Sequence, residues 1–255
     1  MTDAAPPSPL NLEEPQPISI DKALDVLSNG TIELQGLLPW SSNYTFLVTV
    51  HLADIRMAAV YKPCQGERPL WDFPRGTLAN REVAAYQVSA SLGWTIVPPT
   101  VLRGGPHGPG MVQLYVEADP SEHYFTFGSR FPGSCRRIAV FDILVNNADR
   151  KAGHCLRGAF DHIWAIDHGI CFHEEPKLRT VIWEFAGEPI SDELLDDLRG
   201  FRERIGLRSE PITQSLHRLL TKEEVTALRR RAERLIARGR FPDPGPSRHI
   251  PWPPV

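Results

Sequence analysis

Apolar and polar residues alternate along three early stretches of the chain, with a spacing of two that is typical of β-strands. The first two stretches, residues 31–38 and 44–52, are separated by a turn-rich segment. The third, residues 55–62, is ended by Pro63. Three successive strands with short connections predict an antiparallel meander.

Apolar residues three and four positions apart predict helices elsewhere, and shorter apolar runs predict further strands. The predicted helices cover residues 20–27, 80–92, 134–145, 192–205, 213–219 and 221–238. The further strands are predicted at residues 95–102, 110–117, 154–156 and 163–166. Asn80 and Ser134 are the expected N-caps of the second and third helices, because their side chains accept hydrogen bonds from free backbone N–H groups.

The order of these elements, strands with one helix first and helices with a short hairpin afterwards, predicts an α+β protein with two lobes. We expect a flexible leader at residues 1–18 and a small antiparallel β-rich lobe at residues 19–118. A larger helical lobe is expected at residues 119–240, followed by a proline-rich tail at residues 241–255.

Composition excludes several classes of protein. The chain has 255 residues, 42% of them hydrophobic and 23% charged, which is typical of a globular protein and not of a disordered or fibrous one. A net charge of −3 leaves no basic excess for nucleic acid, and no apolar run approaches the ~18 residues of a membrane span. Without a signal peptide, and with four cysteines that form no CxxC pair, we expect a cytoplasmic protein.

Four charged residues stand in an order that suits phosphoryl transfer. Lys62 ends the third strand, and Glu82 follows 20 positions later in the next helix. Asp149 enters a loop after an apolar helix, and Asp167 ends an apolar strand 18 positions after it. Phosphoryl transfer needs a cation for the phosphates, an acidic partner for that cation, a carboxylate near the attacking group and another for the metal. None of these residues indicates phosphoryl transfer by itself, and the prediction depends on the order in which they occur along the chain.

Two segments resemble motifs of a known family. Residues 141–150 (FDILVNNADR) and 164–169 (WAIDHG) resemble the catalytic and metal-binding loops of the phosphatidylinositol 3-/4-kinase-like and HipA-like atypical kinases. These kinases belong to the protein-kinase-like superfamily. The resemblance implies a two-lobed protein-kinase-like fold and an ATP-dependent phosphotransferase that uses Mg²⁺ or Mn²⁺ and acts on a protein or small-molecule hydroxyl.

The resemblance also implies roles for individual residues. Asp149 would be the catalytic carboxylate, and Arg150 would hold its loop or neutralise the transferred phosphate. Lys62 would contact the α- and β-phosphates, held by Glu82, and Asp167 would bind the metal. The loop Ser41-Ser42-Asn43 would cover the phosphates, and the backbone around Gln113, Tyr115 and Glu117 would form the adenine-binding hinge.

The chain departs from the family pattern after Asp149. His154 occupies the position of an asparagine that binds the second metal ion, and Lys151 replaces a histidine. Imidazole suits transition metals better than Mg²⁺, which prefers oxygen ligands. We therefore keep His154 as a candidate metal ligand, with two alternative functions: a catalytically impaired nucleotide-binding regulator and an AMP-transferring enzyme in the same cleft.

Two further groups have competing interpretations. Several histidines and cysteines in the second half suggest a zinc site, although their spacing fits no usual ligand pair beyond Cys171-x-His173. The residues concerned are His154, Cys155, His162, His168, Cys171 and His173. Buried thiols and polar strand residues explain the same pattern more simply. For Asp142, on the helix before Asp149, we expect a solvated or loop-bracing carboxylate.

Overall fold

The structure is a computed structural model that describes residues 18–38, 44–246 and 248–255. Its main sheet has five antiparallel strands in the order β1-β2-β3-β5-β4. The strands are β1 (Thr31–Leu37), β2 (Phe46–Leu52), β3 (Ile55–Pro63), β4 (Thr100–Gly105) and β5 (Gly108–Leu114). The predicted meander is therefore present, and β3 lies at the centre of the sheet.

Two α-helices accompany the sheet, where helical spacing predicted them at residues 20–27 and 80–92, although the two-lobed interpretation counted one. Helix α1 (Ile20–Asn29) is capped by Ser19 and buries Val26 and Leu27 against the sheet. Helix α2 (Leu78–Ser91) begins two residues before Asn80, so the prediction of Asn80 as its N-cap was wrong. Asn80 lies inside the first turn because the chain already becomes helical after Thr77.

The large lobe is mainly helical. It contains α3 (Tyr124–Phe127), α4 (Pro132–Val145), α5 (Asp192–Gly206), α6 (Pro211–Leu219) and α7 (Lys222–Arg238), with a hairpin of β6 (Cys155–Arg157) and β7 (Ile163–Ala165). The prediction of Ser134 as a cap was wrong, since α4 begins at Pro132, whose fixed φ suits the first helical position. The four residues of α3 are too few to show a helical period in the sequence.

Each lobe has its own hydrophobic core. In the small lobe Val48, Tyr61 and Val112 of the sheet pack with α1. In the large lobe the fully buried Phe141 and Phe201 belong to a cluster formed by α4, α5, α7 and the hairpin. This confirms the two-lobed α+β architecture. Within the described ranges no helix is both long and apolar enough to cross a membrane.

Candidate active site

Lys62 lies near the C-terminal end of β3, where its backbone pairs with Met111 of β5; the preceding residue, Tyr61, pairs with strands on both sides. Its Nζ lies 2.7 Å from Oε1 of Glu82 and 2.8 Å from Oδ1 of Asp167. The side chain of Glu82 on α2 is only 2% exposed, and its other oxygen accepts a hydrogen bond of 2.8 Å from the backbone N–H of His168. The structure thus brings together three of the predicted site residues and ties both lobes at this point.

Lys62 and Asp167 stabilise each other's charges, whereas burial, with the negative charge of Asp167, raises the pKa of Glu82. Burial alone lowers the pKa of Lys62, but the carboxylates of Asp167 and Glu82 outweigh burial, and the pKa lies well above its ordinary value. The positive charge of Lys62 is the largest cause that holds the pKa of Asp167 well below its usual range. Lys62 and Asp167 are therefore both charged at neutral pH, as phosphate and metal binding require.

Asp167 directly follows the hairpin and has a left-handed backbone conformation, with φ of 61°. Such a conformation is uncommon for a residue with a side chain, although aspartate adopts it more readily than most, and it is found both in turns and at functional sites. The turn it creates lets the neighbouring residues make separate contacts: Asp167 with Lys62 and the backbone of His168 with Glu82.

The loop that carries Asp149 is held by α4. Asn146 ends this helix in a left-handed conformation, and the side chain of the next residue, Asn147, then makes two hydrogen bonds. Its Oδ1 accepts from the backbone N–H of Asp149 at 2.9 Å, and its Nδ2 donates to Oδ1 of Asp142 at 2.9 Å. Asp142 is fully buried, so of its two expected roles the solvated one was wrong and it braces the loop.

Arg150 is also fully buried. Its Nε donates to Oδ2 of Asp142 at 2.9 Å, its Nη1 to the carbonyl oxygen of Ile166 at 2.8 Å, and its Nη2 lies 2.7 Å from Nε2 of His168. A guanidinium enclosed in this way has no access to a transferred phosphate. The prediction of Arg150 as a catalytic residue is therefore corrected: it is a positioning residue that links the loop of Asp149 to the loop of Asp167.

Asp149 lines the same small cavity as Lys62, Glu82 and Asp167. Its side chain is 30% exposed, and its Oδ2 lies 3.7 Å from Nζ of Lys151. Burial, assisted by the negative charge of Asp167 and opposed by Lys151, raises the pKa of Asp149 to about 6. A carboxylate with this pKa is ionised at neutral pH yet basic enough to accept a proton.

A second cavity of about 270 Å³ opens beside the first, between the sheet and the hairpin. Val60 and Leu114 of the sheet and Leu156 of the hairpin form apolar walls, while Lys62 and Asp167 lie at its polar end. An apolar cleft with a few convergent charges is typical of a small-molecule site. Its size and lining suit a nucleotide base next to a phosphate-binding lysine.

The residues predicted to form the hinge lie in two places. Gln113 and Tyr115 line the larger cavity, and the side-chain amide of Gln113 is held by Oγ1 of Thr100 at 2.8 Å. Strand β5 ends at Leu114, and Glu117 is exposed on a separate surface pocket with Arg157. A nucleotide-binding role of these backbone groups stays a prediction. The predicted phosphate loop Ser41-Ser42-Asn43 lies outside the described residues.

His154 lines the larger cavity, and its Nε2 lies 3.3 Å from Oδ2 of Asp167. Burial lowers the pKa of His154 to about 4, so its imidazole is neutral at neutral pH. Nδ1 lies 3.5 Å from the backbone nitrogen of Lys151, and a neutral ring with its proton on Nε2 would accept there and donate to Asp167. In this arrangement the ring orients Asp167, and binding a metal ion through Nε2 would require the other tautomer.

The zinc hypothesis was wrong. Throughout the described part of the chain, no three residues among His, Cys, Asp and Glu are grouped as metal ligands. The ring of His162 bonds to the carbonyl oxygen of Thr95, and that of His168 to Arg150. Cys155 and Cys171 are buried free thiols.

The sequence did not predict that the proline-rich tail makes hydrogen bonds to the large lobe. The carbonyl oxygen of Pro254 accepts from the backbone N–H of Ala152, three residues after Asp149, at 2.8 Å. The carbonyl oxygen of His249 accepts from Thr180 and from Nε1 of Trp183, both at 3.0 Å. An aperiodic tail carries no signal for such contacts, because backbone carbonyl groups make them.

Phosphatidylinositol kinases are similar to part of the chain. The model of the family "Phosphatidylinositol 3- and 4-kinase" matches residues 103–197, less than half of the chain. Phosphatidylinositol 4-kinase gamma 1 of Arabidopsis thaliana is 31% identical over 170 residues, and phosphatidylinositol 4-kinase gamma 4 of rice (Oryza sativa subsp. japonica) is 31% identical over 176 residues. These matches cover 54% and 53% of this chain but only 30% and 31% of the plant proteins.

Solved structures support the fold at low sequence identity. The Golgi casein kinase with Mn/ADP bound superposes with a TM-score of 0.56 and 14% identity, covering 86% of this chain and 74% of that one. The Helicobacter pylori proinflammatory kinase CtkA superposes with a TM-score of 0.52 and 12% identity, covering 84% and 94%. These similarities establish a kinase-like fold and no more.

One relative covers nearly the whole chain. Protein Rv2133c of Mycobacterium tuberculosis is 41% identical over 263 residues, which is 89% of this chain and 94% of that protein. Together with the two-lobed fold, the family match to residues 103–197 and the kinase structures, this similarity settles the family. The chain belongs to the same family as Protein Rv2133c and is an atypical protein-kinase-like protein.

Proposed function

We propose that this protein is an ATP-dependent phosphotransferase that uses Mg²⁺ or Mn²⁺ and acts on a hydroxyl group of a protein or small molecule. The observation that carries the proposal is the contact of Lys62 with both Glu82 and Asp167 in a cavity that Asp149 also lines. A cation, a metal-binding carboxylate and a carboxylate of raised pKa lie together beside an apolar cleft. Phosphoryl transfer depends on this kind of positioning and electrostatic stabilisation.

The residues that line the two cavities would each bind a different part of the nucleotide and its metal ion. The base would lie against Val60, Leu114 and Leu156, with backbone groups near Gln113 and Tyr115 at the edge of the cavity. Lys62 would bind the phosphates while Glu82 keeps its ammonium group in place. A divalent ion held by the Asp167 carboxylate would supply positive charge to the phosphate oxygens.

Asp149 would orient the acceptor hydroxyl and take its proton. The hydroxyl oxygen then forms a bond to the γ-phosphorus, the bond from that phosphorus to the leaving ADP oxygen breaks, and the proton ends on the carboxylate. Lys151, 3.7 Å from Asp149, adds positive charge next to this reaction. The names of the relatives point to different acceptors, phosphatidylinositol in the plants and casein in the Golgi enzyme, so both classes belong in an acceptor screen.

ATP with Mg²⁺ or Mn²⁺ is expected to raise the melting temperature, because a ligand that binds only the native state stabilises it by about 2.7 kcal/mol at 100 times its Kd. Lys62→Met and Asp167→Asn should each remove most of this increase. Thermal unfolding of each variant with and without nucleotide measures it, so that any loss of intrinsic stability cancels. Lys22→Met, which removes an exposed lysine ion-paired on α1, is the matched control and should keep the full increase. Equal increases in melting temperature in the wild type and all three variants would mean that the nucleotide binds elsewhere.

The presence of His154 where the related kinases have asparagine favours the alternative function, a nucleotide-binding regulator with impaired catalysis. His154→Asn is expected to strengthen ATP binding with Mg²⁺ up to about tenfold, since an amide oxygen suits Mg²⁺ and the change frees Asp167 from its contact with the ring. Binding with Mn²⁺ should change less. Calorimetric titration of both proteins with both ions measures the preference. If the two proteins show the same affinities, His154 neither binds the metal ion nor orients its ligand.

A further inference from the structure

A cavity of about 280 Å³ lies in the large lobe and shares no lining residue with the two cavities of the candidate active site. Helix α7 forms one wall, and the end of α4 and the segment after Cys171 form the others. Ile143, Leu178 and Leu235 give it an apolar surface. Asn146, which also lines it, comes directly before the loop of Asp149.

Three arginines of α7 line this cavity: Arg231, Arg234 and Arg238. Their spacing of three and four places them on one face of the helix. Arg231 is only 7% exposed; its Nε donates to the carbonyl oxygen of Leu144 at 2.7 Å and its Nη1 to that of His173 at 3.2 Å. Its Nη2 is buried and has no hydrogen-bond partner among the described residues.

The cavity carries an uncompensated positive charge. Burial, and then the positive charge of Arg234, lower the pKa of Arg231 to about 10. The protonated form of Arg231 is therefore destabilised by its surroundings. One carboxylate, Glu174, also lines the cavity and is exposed. Arg238 lies 3.6 Å from Asp243, but both side chains are more than half exposed, and such pairs are weak. Three arginines against Glu174 leave the lining positive.

We propose that this cavity binds a small organic oxyanion, a phosphate monoester or carboxylate attached to a compact apolar group. Arginine presents its N–H donors in a fork that matches phosphate and carboxylate oxygens, and the exposed side chains of Arg234 and Arg238 both line the cavity. The apolar residues would contact the hydrocarbon part. A volume of about 280 Å³ is near the small end of ligand pockets and suits a ligand of this size. The proposal does not depend on phosphotransferase activity.

Calorimetric titration of the full chain with phenyl phosphate, benzoate and inorganic phosphate tests the proposal. At least one of the two aromatic anions should bind saturably and more tightly than inorganic phosphate, and the preferred one identifies the oxyanion. The double variant Arg234→Gln/Arg238→Gln, which changes two exposed residues and spares the buried Arg231, should weaken this binding about tenfold or more.

The matched control is Arg229→Gln/Arg230→Gln, which removes two exposed arginines of the same helix that do not line the cavity. It should bind as the wild type does. A third protein, Lys62→Met, tests whether the anions bind in the nucleotide cleft instead. It should bind them as tightly as the wild type does. The proposal is overturned if neither aromatic anion binds, if both double variants weaken binding equally, or if binding is lost only in Lys62→Met.

Discussion

Asp149→Asn is expected to reduce phosphoryl transfer by about 10²- to 10⁴-fold, the range that general base catalysis contributes, while ATP binding stays nearly unchanged. The amide keeps the shape of the side chain but does not take up a proton. Asp149 lines the same cavity as Lys62 but is paired with Lys151, at 3.7 Å, and not with Lys62, so the contacts of Lys62 with Glu82 and Asp167 should remain in place. Transfer rates and ATP affinity, measured on the same preparations, test this difference.

The pH dependence gives an independent readout of the same residue. Because burial raises the pKa of Asp149 to about 6, the carboxylate is protonated and inactive as a base below that pH. Transfer by the wild type should therefore rise as pH increases through about 6, and ATP binding should not, since Lys62 and Asp167 keep their charges there. Residual transfer by Asp149→Asn should lose this rise. If Asp149→Asn weakens ATP binding as much as it slows transfer, Asp149 has a structural or metal-binding role instead.

Arg150→Ala is expected to destabilise the fold by about 3–5 kcal/mol, the cost of leaving one member of a buried ion pair without its partner. Asp142 would keep a buried carboxylate with only the amide of Asn147 beside it, and the carbonyl oxygen of Ile166 would lose a donor. Urea unfolding followed by circular dichroism measures the free energy. The matched control, Arg199→Ala, removes an exposed arginine paired with Asp196 on α5 and should change it by less than about 1 kcal/mol.

A double variant separates charge from packing at this position. Arg150→Met/Asp142→Leu removes both charges and should recover much of the stability lost in Arg150→Ala, because well-packed apolar residues often replace a buried pair without loss. Transfer should stay low in the double variant, since the link between the loops of Asp149 and Asp167 is gone. A loss of less than 1 kcal/mol in Arg150→Ala would mean that the buried pair does not support the fold as the contacts indicate.

The sequence predicts strand β3 and helix α2, the two elements that carry Lys62 and Glu82. The resemblance to atypical kinases, together with the order of these residues, predicted their contact; a strong helical period did not, because α2 is buried on most of its sides. The ends of elements were predicted less well. Asn80 and Ser134 have side chains that suit a cap, but the chain becomes helical two residues before each of them.

Burial and packing at the site could not be predicted from the sequence. Arg150 was given two roles because the sequence does not show that its guanidinium is enclosed by Asp142 and His168. His154 was proposed as a metal ligand from its place in a motif, whereas its contact with Asp167 depends on how the hairpin packs against the lobe. The tail contacts made through backbone carbonyl groups leave no mark on side-chain patterns at all.

The central claim is that the cleft of Lys62, Asp149 and Asp167 transfers the γ-phosphoryl group of ATP. Chromatographic analysis of the nucleotide products formed with Mg²⁺ and with Mn²⁺, in the presence of a mixture of hydroxyl acceptors, tests it most directly. We expect ADP from the wild type with at least one of the two ions, and little or none from Asp149→Asn at equal nucleotide occupancy. Release of pyrophosphate together with an acceptor that carries AMP would indicate nucleotidyl transfer, and bound ATP that stays intact with both ions would indicate a nucleotide-binding regulator; either result contradicts the claim.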